Sequence, residues 1–269
     1  MHKIGQRSRR MQIAGSPKDM LLQREGIHMV RMERLEAKIS SVYTQNHRIT
    51  ELLNSGSWQG CRCFLVAGGP SLVDFDFHIL DGEKTIGINR MLERYDFTLS
   101  YSMDVKLCGQ LEQKLIDNYD NSKALSRWYN FPNPKIFLTP FSMHNFGKGI
   151  YLVRRLLEDV ISVNLNQGIY GGTNSGFGAL SLAIALGANP IYLLGYDMQT
   201  SAERTHSHTG YPKQKIANLQ IKLNKYKEGF VRFAPRFAKQ GIKIETLVRS
   251  KASETALTCF PIRKLDEVL

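Results

Sequence analysis

The sequence predicts an α/β protein of Rossmann-like type, with a mostly parallel sheet flanked by helices and an N-terminal helical extension. Three observations carry this. Short apolar runs alternate with longer segments of helical periodicity, the pattern of strand–helix–strand units. Two of the runs, FLVAGGPS at 64–71 and PIYLLGYD at 190–197, end in glycine and polar residues, as strands do where they deliver a ligand site. The 269 residues, 42% hydrophobic and 22% charged, are enough for a sizeable core and have the balance of a globular domain.

Residues 1–25 are polar and basic, with Gly15, Ser16 and Pro17, and read as a poorly ordered tail. Residues 28–54 read as a helix, because Met32, Leu35, Ile39, Val42, Ile49 and Leu53 recur at spacings of three, four or seven. That stripe suits a coiled-coil seam making a homo-oligomer, or packing on the protein's own core, which is the commoner arrangement. Gly56 and Gly60 are expected to end it. Strands follow at 61–67, 84–89, 97–104 and 134–140, the last bounded by prolines. Helices are expected at 106–118 and at 147–160, where Ile150, Val153, Leu156 and Leu157 share a side. Residues 173–187 read as a helix stopped by Gly187, 190–197 as a strand, 212–240 as a basic helical region broken near Pro235, and 242–248 as a final strand. The division that results is a tail and helical extension over 1–57 and a sheet domain over 58–269.

The net charge of +12 is unevenly placed. Residues 204–251 hold twelve Lys and Arg against two Glu, and residues 1–60 ten against five acids, so the excess gathers in the tail and in one C-terminal segment; such a segment attracts phosphates or polyanions, unless it is simply a solvated helix face. No run of about 18 apolar residues suggests a membrane span, and the basic start lacks the apolar centre of a secretory signal. Cys61, Cys63, Cys108 and Cys259 form neither a disulfide framework nor a zinc spacing, which favours the cytoplasm. They supply no metal site.

Four expected strand ends carry Gly68 and Gly69, Asn89, Asp104, and Asp197. Gly68, Gly69, Pro70 and Ser71 form a turn whose glycines permit close backbone approach. Its N–H groups and the Ser71 hydroxyl suit a phosphate. Thr173, Asn174, Ser175 and Gly176 open a helix, where side chains cap and N–H groups point outward. Tyr101, Ser102, Tyr170, Tyr211 and Lys213 are weaker candidates near these ends, whereas His78 and His144 read as structural. Polar residues converging on one sheet rim describe a site better than either turn alone.

VAGGPSLVDFDFHIL, an Asn on the next strand and SGFGALSLAIALGANPIYLLGYDM together resemble the sialyltransferases of glycosyltransferase family 42. The same framework is similar to MptE-like 6-hydroxymethylpterin diphosphokinases. The likeness covers roughly residues 61–210. It implies a Rossmann-like nucleotide-sugar-binding catalytic domain and a glycosyltransferase with a CMP- or UDP-linked donor. The donor would lie on Gly68, Gly69, Pro70, Ser71, Asn89, Thr173, Asn174, Ser175 and Gly176, with Asp197 at its nucleoside end. His206 and His208, in RTHSHTG, would supply the base that takes a proton from the acceptor hydroxyl. Lys213, Lys215 or Arg204 would neutralise the leaving phosphate. Asp104 stands where those sialyltransferases carry Asn. An acid there is closer to the diphosphokinases, where with Asp197 it could hold Mg²⁺, so metal dependence stays open.

Three functions therefore compete. One is a nucleotide-sugar glycosyltransferase, whose acceptor could be a modified base in DNA reached through segment 204–251. The others are a Mg-dependent pyrophosphokinase and a nucleic-acid-binding protein on an inactive transferase framework.

Overall fold

In a computed structural model the described residues are 17–104, 107, 121–140, 149–201, 204–208 and 216–269. Apart from residue 107, the helix expected at 106–118 lies outside them, as do Cys108, His144, Tyr211, Lys213 and Lys215.

The centre is β1 (Cys63–Val66), with all four side chains buried. Cys63 and Leu65 join the apolar core on one face of the sheet, Phe64 and Val66 the core on the other. Such runs are apolar throughout because helices or turns cover both faces of a parallel sheet. β2 (Lys84–Ile88), β3 (Leu99–Ser102), β4 (Lys135–Leu138) and β5 (Ile150–Val153) extend outward from β1 in chain order. After β6 (Arg155–Leu156) and β7 (Ile169–Tyr170), a separate small parallel pair, the chain returns to the other side of β1. There it lays down β8 (Ile191–Leu194), β9 (Ile244–Val248) and β10 (Ile262–Lys264). The eight-stranded order is β10-β9-β8-β1-β2-β3-β4-β5, with every pairing parallel. The α/β, Rossmann-like class expected from sequence is what the chain adopts.

Four α-helices are described: α1 (Pro17–Thr44), α2 (Asn121–Tyr129), α3 (Ser175–Ala185) and α4 (Ile216–Lys239). Every residue of α3 is buried, and its small side chains let it lie close over β1, β2 and β3. α4 places Phe230, Phe233 and Phe237 on the same core, at helical spacings of three and four. Burying each of these rings stabilises by about 1.5–3 kcal/mol.

Four expectations about elements need correction. Of the helix expected at 147–160, the described residues 149–160 form none: Ile150–Val153 is β5, paired with β4 from Lys135↔Ile150 to Leu138↔Val153. This strand is apolar on both sides, so it shows no alternation, and its spacing imitates a helical stripe. The second correction is at Pro235, which interrupts one backbone hydrogen bond but not α4, whose phenylalanines hold both halves on the core. Third, α1 starts at Pro17, inside the expected tail, and stops at Thr44 rather than running to Gly56. Its last turns bury Ile39, Val42 and Tyr43 on the protein's own core, the commoner of the two arrangements weighed for that stripe. The chain beyond α1 then covers the outer edge of β5, where the Leu152 N–H donates to the His47 carbonyl at 2.7 Å. The fourth is β10, whose IRK sequence is mostly exposed and gives no strand signal.

Candidate active site

β1 is flanked by β2 on one side and β8 on the other, so the winding reverses between β1 and β8. In open α/β sheets such a reversal leaves a crevice beyond the strands' carboxyl ends. Here two turns are tied across it. The Gly69 N–H donates to the Gly195 carbonyl at 3.0 Å. The Ser71 N–H and O–H each donate at 2.7 Å to a different oxygen of Asp197. A Cβ at Gly69 would collide with the Gly195 carbonyl oxygen and stand 2.5 Å from Asp197 Cγ, so this position needs glycine for space alone. Gly195 needs it for conformation, at φ +70°. Asp197 is 5% exposed. Burial pushes its carboxyl up to about 6, Ser71's two hydrogen bonds pull it back down, and Glu254 adds a small upward push.

The second corner is the start of α3. Asn174 caps it, its Oδ1 accepting the Phe177 N–H at 3.0 Å, and the Gly178 N–H reaches the Asn174 carbonyl at 3.1 Å. The N–H groups of Ser175 and Gly176 have no protein acceptor among the described residues, and both residues line the cleft. The Ser175 hydroxyl accepts the Met103 N–H at 3.3 Å, tying the corner to the end of β3. Both corners open onto one cavity of ≈ 160 Å³, walled also by Asn89, Tyr226, His206 and His208.

The histidines enter on a loop pinned to the first corner. The Ser207 N–H donates to the Gly68 carbonyl at 3.0 Å. The two imidazoles stack, with centroids 5.5 Å apart and planes 30° apart. His208 packs on Gly68, where an added Cβ would stand 3.3 Å from its Nε2. Burial pushes His208 down to about 3, helped by the positive fields of His206, Arg90 and Arg94. Burial lowers His206 as well. Thr205 Oγ1, 3.0 Å from Nδ1, fixes the His206 ring.

Gly68, Gly69, Pro70, Asn89, Asn174, Ser175, Gly176, Asp197, His206 and His208 line the one cavity, so segments up to 140 residues apart in sequence meet there. Several of their polar groups are engaged within the protein. The Ser71 donors assigned to phosphate are engaged by Asp197, and Asp197 in turn fastens the turn with both oxygens. The Asn174 oxygen serves as a cap. Asn89, in a left-handed conformation at φ +54°, accepts the Ser102 hydroxyl at 2.8 Å. Ser102 Oγ in turn accepts the Asp104 N–H at 2.9 Å. Thr173 is exposed, and neither it nor Asp104 is in the cavity wall. Of the weaker candidates, Tyr101 is wholly buried against Gly178 and Tyr170 stacks on Phe233, so both belong to the packing.

Sequence reasoning missed Arg90 and Arg94, which follow Asn89 in a short 3-10 turn. Arg90 is buried and paired with Glu93 at 2.7 Å. Arg94 donates to the Leu72 carbonyl at 2.8 Å and the Ser207 carbonyl at 3.4 Å, and lies 4.8 Å over the Phe77 ring. It thus clamps the histidine loop to the glycine corner. For Arg90 a signal was present, since it directly follows the strand-end Asn89; Arg94, five residues further on, had none. Among the described residues, no three His, Cys, Asp or Glu side chains stand close enough to share a metal ion, and no helix is long and apolar enough to cross a membrane.

No family model and no curated protein matches the chain. A solved structure of the MAf glycosyltransferase from Magnetospirillum magneticum AMB-1 superimposes with a TM-score of 0.53 at 13% sequence identity. The match covers 95% of this chain and 43% of that one, so this chain spans less than half the length of that protein. Likeness at this level establishes a shared fold.

Proposed function

We propose that the chain is the nucleotide-sugar-binding catalytic unit of a glycosyltransferase. One observation carries the reading: the unengaged N–H groups of Ser175 and Gly176, at the positive end of α3, open onto the same cavity as a half-buried histidine pair. The helix end suits the donor's phosphates, and the Gly68–Pro70 backbone suits close approach of its sugar or ribose. The fold shared with the MAf glycosyltransferase supports the same class.

His206 is the better base. Its lowered pKa keeps it neutral at pH 7 and ready to accept a proton, whereas His208, near 3, is too weak a base for the task. The acceptor oxygen bonds to the anomeric carbon as that carbon's bond to the phosphate oxygen breaks. The phosphate leaves with the electron pair, and His206 takes the acceptor proton. The N–H groups at the α3 terminus favour the negative leaving group.

The pyrophosphokinase reading is less well supported. It needs Asp197 for Mg²⁺, and both Asp197 oxygens accept from Ser71. A thermal-shift screen with CMP, UDP, GDP and ATP, each with Mg²⁺ and with EDTA, separates the two. CMP or UDP should stabilise the fold regardless of metal, by about 2.7 kcal/mol at a hundred times Kd. Stabilisation by ATP with Mg²⁺ alone would transfer the case to the pyrophosphokinase.

A further inference from the structure

The solvent side of α4 is not uniformly basic. At about 100° per residue, Lys222, Lys225, Arg232, Arg236 and Lys239 fall within an arc of about 100°, and all five are exposed. From Lys222 to Lys239 this row runs about 25 Å at 1.5 Å per residue. Arg232 pairs with Asp159 at 2.8 Å. The other four have no ion-pair partner among the described residues. Glu228, the only acid of the helix, stands at the row's edge. One end of the row is at the cleft, because Leu223 and Tyr226 of the same two turns form part of the cavity wall.

We infer that this cationic row is the docking surface for the acceptor, and that the acceptor is a single-stranded nucleic acid whose backbone lies along α4 with its end at Tyr226. The inference rests on the transferase reading above and gives it an acceptor class. Charge complementarity requires a polyanion at least as long as the row. A membrane surface fits poorly, because the apolar face of α4, with Phe230, Phe233 and Phe237, is committed to the core and cannot insert. A single stripe along one face of one helix matches one backbone rather than the two of a duplex. An aromatic ring at the cleft end gives the final base a surface to stack on, which a simple polyphosphate chain would not use.

The test is fluorescence anisotropy of labelled dT12 with the whole chain between 50 and 200 mM salt. Four phosphate contacts on a single strand predict a log–log salt slope of about −3, a loss of about fifty-fold across that range. The quadruple variant K222E/K225E/R236E/K239E changes only exposed side chains. It should bind dT12 at least a hundred-fold more weakly while remaining folded by circular dichroism and keeping the wild-type shift with CMP or UDP. Tyr226→Ala should weaken dT12 about tenfold and leave polyphosphate binding unchanged. The proposal is overturned if dT12 does not bind at 50 mM salt, if the quadruple variant binds it as well as wild type, or if a duplex, heparin or anionic vesicles bind more tightly than dT12. Row-dependent dT12 binding without any nucleotide shift would keep the docking surface and remove the transferase reading instead.

Discussion

The two corners of the cleft both combine glycine with serine and put their polar groups to opposite uses. At Gly69–Ser71 every backbone donor has a partner within the protein: Gly69 with the Gly195 carbonyl, Ser71 with Asp197. At Ser175–Gly176 the N–H groups have none among the described residues, and both residues line the cavity. A glycine-rich turn after a strand is therefore ambiguous. It can leave donors for a ligand, or let two strands approach closely enough to satisfy each other. The first corner is architecture that holds the two strand ends together, and the second is where we propose the donor's anion binds. Perturbing each should separate stability from binding.

The largest effect is expected at the base itself. His206→Ala should lower turnover by about 10²–10⁴ while melting temperature and nucleotide shift stay near wild type. An equal loss from His208→Ala would instead make the stacked pair the working unit. Next comes the contrast between glycines. Gly69→Ala forces a methyl into the Gly195 carbonyl and should cost about 3 kcal/mol in urea unfolding. Gly176→Ala meets Asn174 Oδ1 at 2.9 Å and Tyr196 Cε1 at 3.0 Å but gains helix propensity, so its net stability change should stay within about 1 kcal/mol. Its added methyl beside the open N–H groups should nevertheless abolish the nucleotide shift. If both variants lose stability equally, the division between architecture and binding is wrong.

The same contrast explains what could be read from sequence. β1 and β8 were legible because a fully buried strand in a parallel sheet is an apolar run that ends abruptly at a turn. β5 was not, because its Ile150 and Val153 lie at a spacing that a short buried strand and a helix share. The cleft's residues were legible as strand ends. Their roles were not, since whether Ser71 faces a ligand or Asp197 depends on a partner 126 residues away. Arg94 illustrates the same limit: its partners, Leu72 and Ser207, are set by tertiary structure alone.

Asp197 and His208 also oppose one another in pH. The folded chain keeps a proton on Asp197 up to about pH 6, against an ordinary value of 3.8. That contribution is complete at low pH and is lost as pH rises through 6. His208 is the reverse. Unfolded histidine takes up its proton near 6.5, while the fold resists it to about 3, so stability is lost as pH falls. Between pH 4 and 6 the two slopes largely cancel, each at most about 1.4 kcal/mol per pH unit. Relative to wild type, Asp197→Asn should therefore grow more stable from pH 4 to 6 and His208→Gln less stable. Urea midpoints at pH 4, 5, 6 and 7 decide it, and parallel curves for all three proteins would contradict the opposed shifts.

The smallest effect is expected from Arg94→Gln. The side chain is only partly buried, and glutamine keeps a donor but is too short to span from the Leu72 carbonyl to the histidine loop. Loss of that charged hydrogen bond and of the contact with Phe77 should cost about 1–2 kcal/mol. A purely structural role would stop there. A clamp predicts more: with the Arg94 charge gone, His208 should titrate at higher pH in imidazole NMR spectra, and any change in turnover should fall on kcat, because the proposed anion site at α3 is untouched. Arg94→Lys keeps the charge and should restore the His208 titration without restoring the full stability. If the His208 titration is the same in wild type and Arg94→Gln, the arginine holds the fold together but does not set the electrostatics of the cleft.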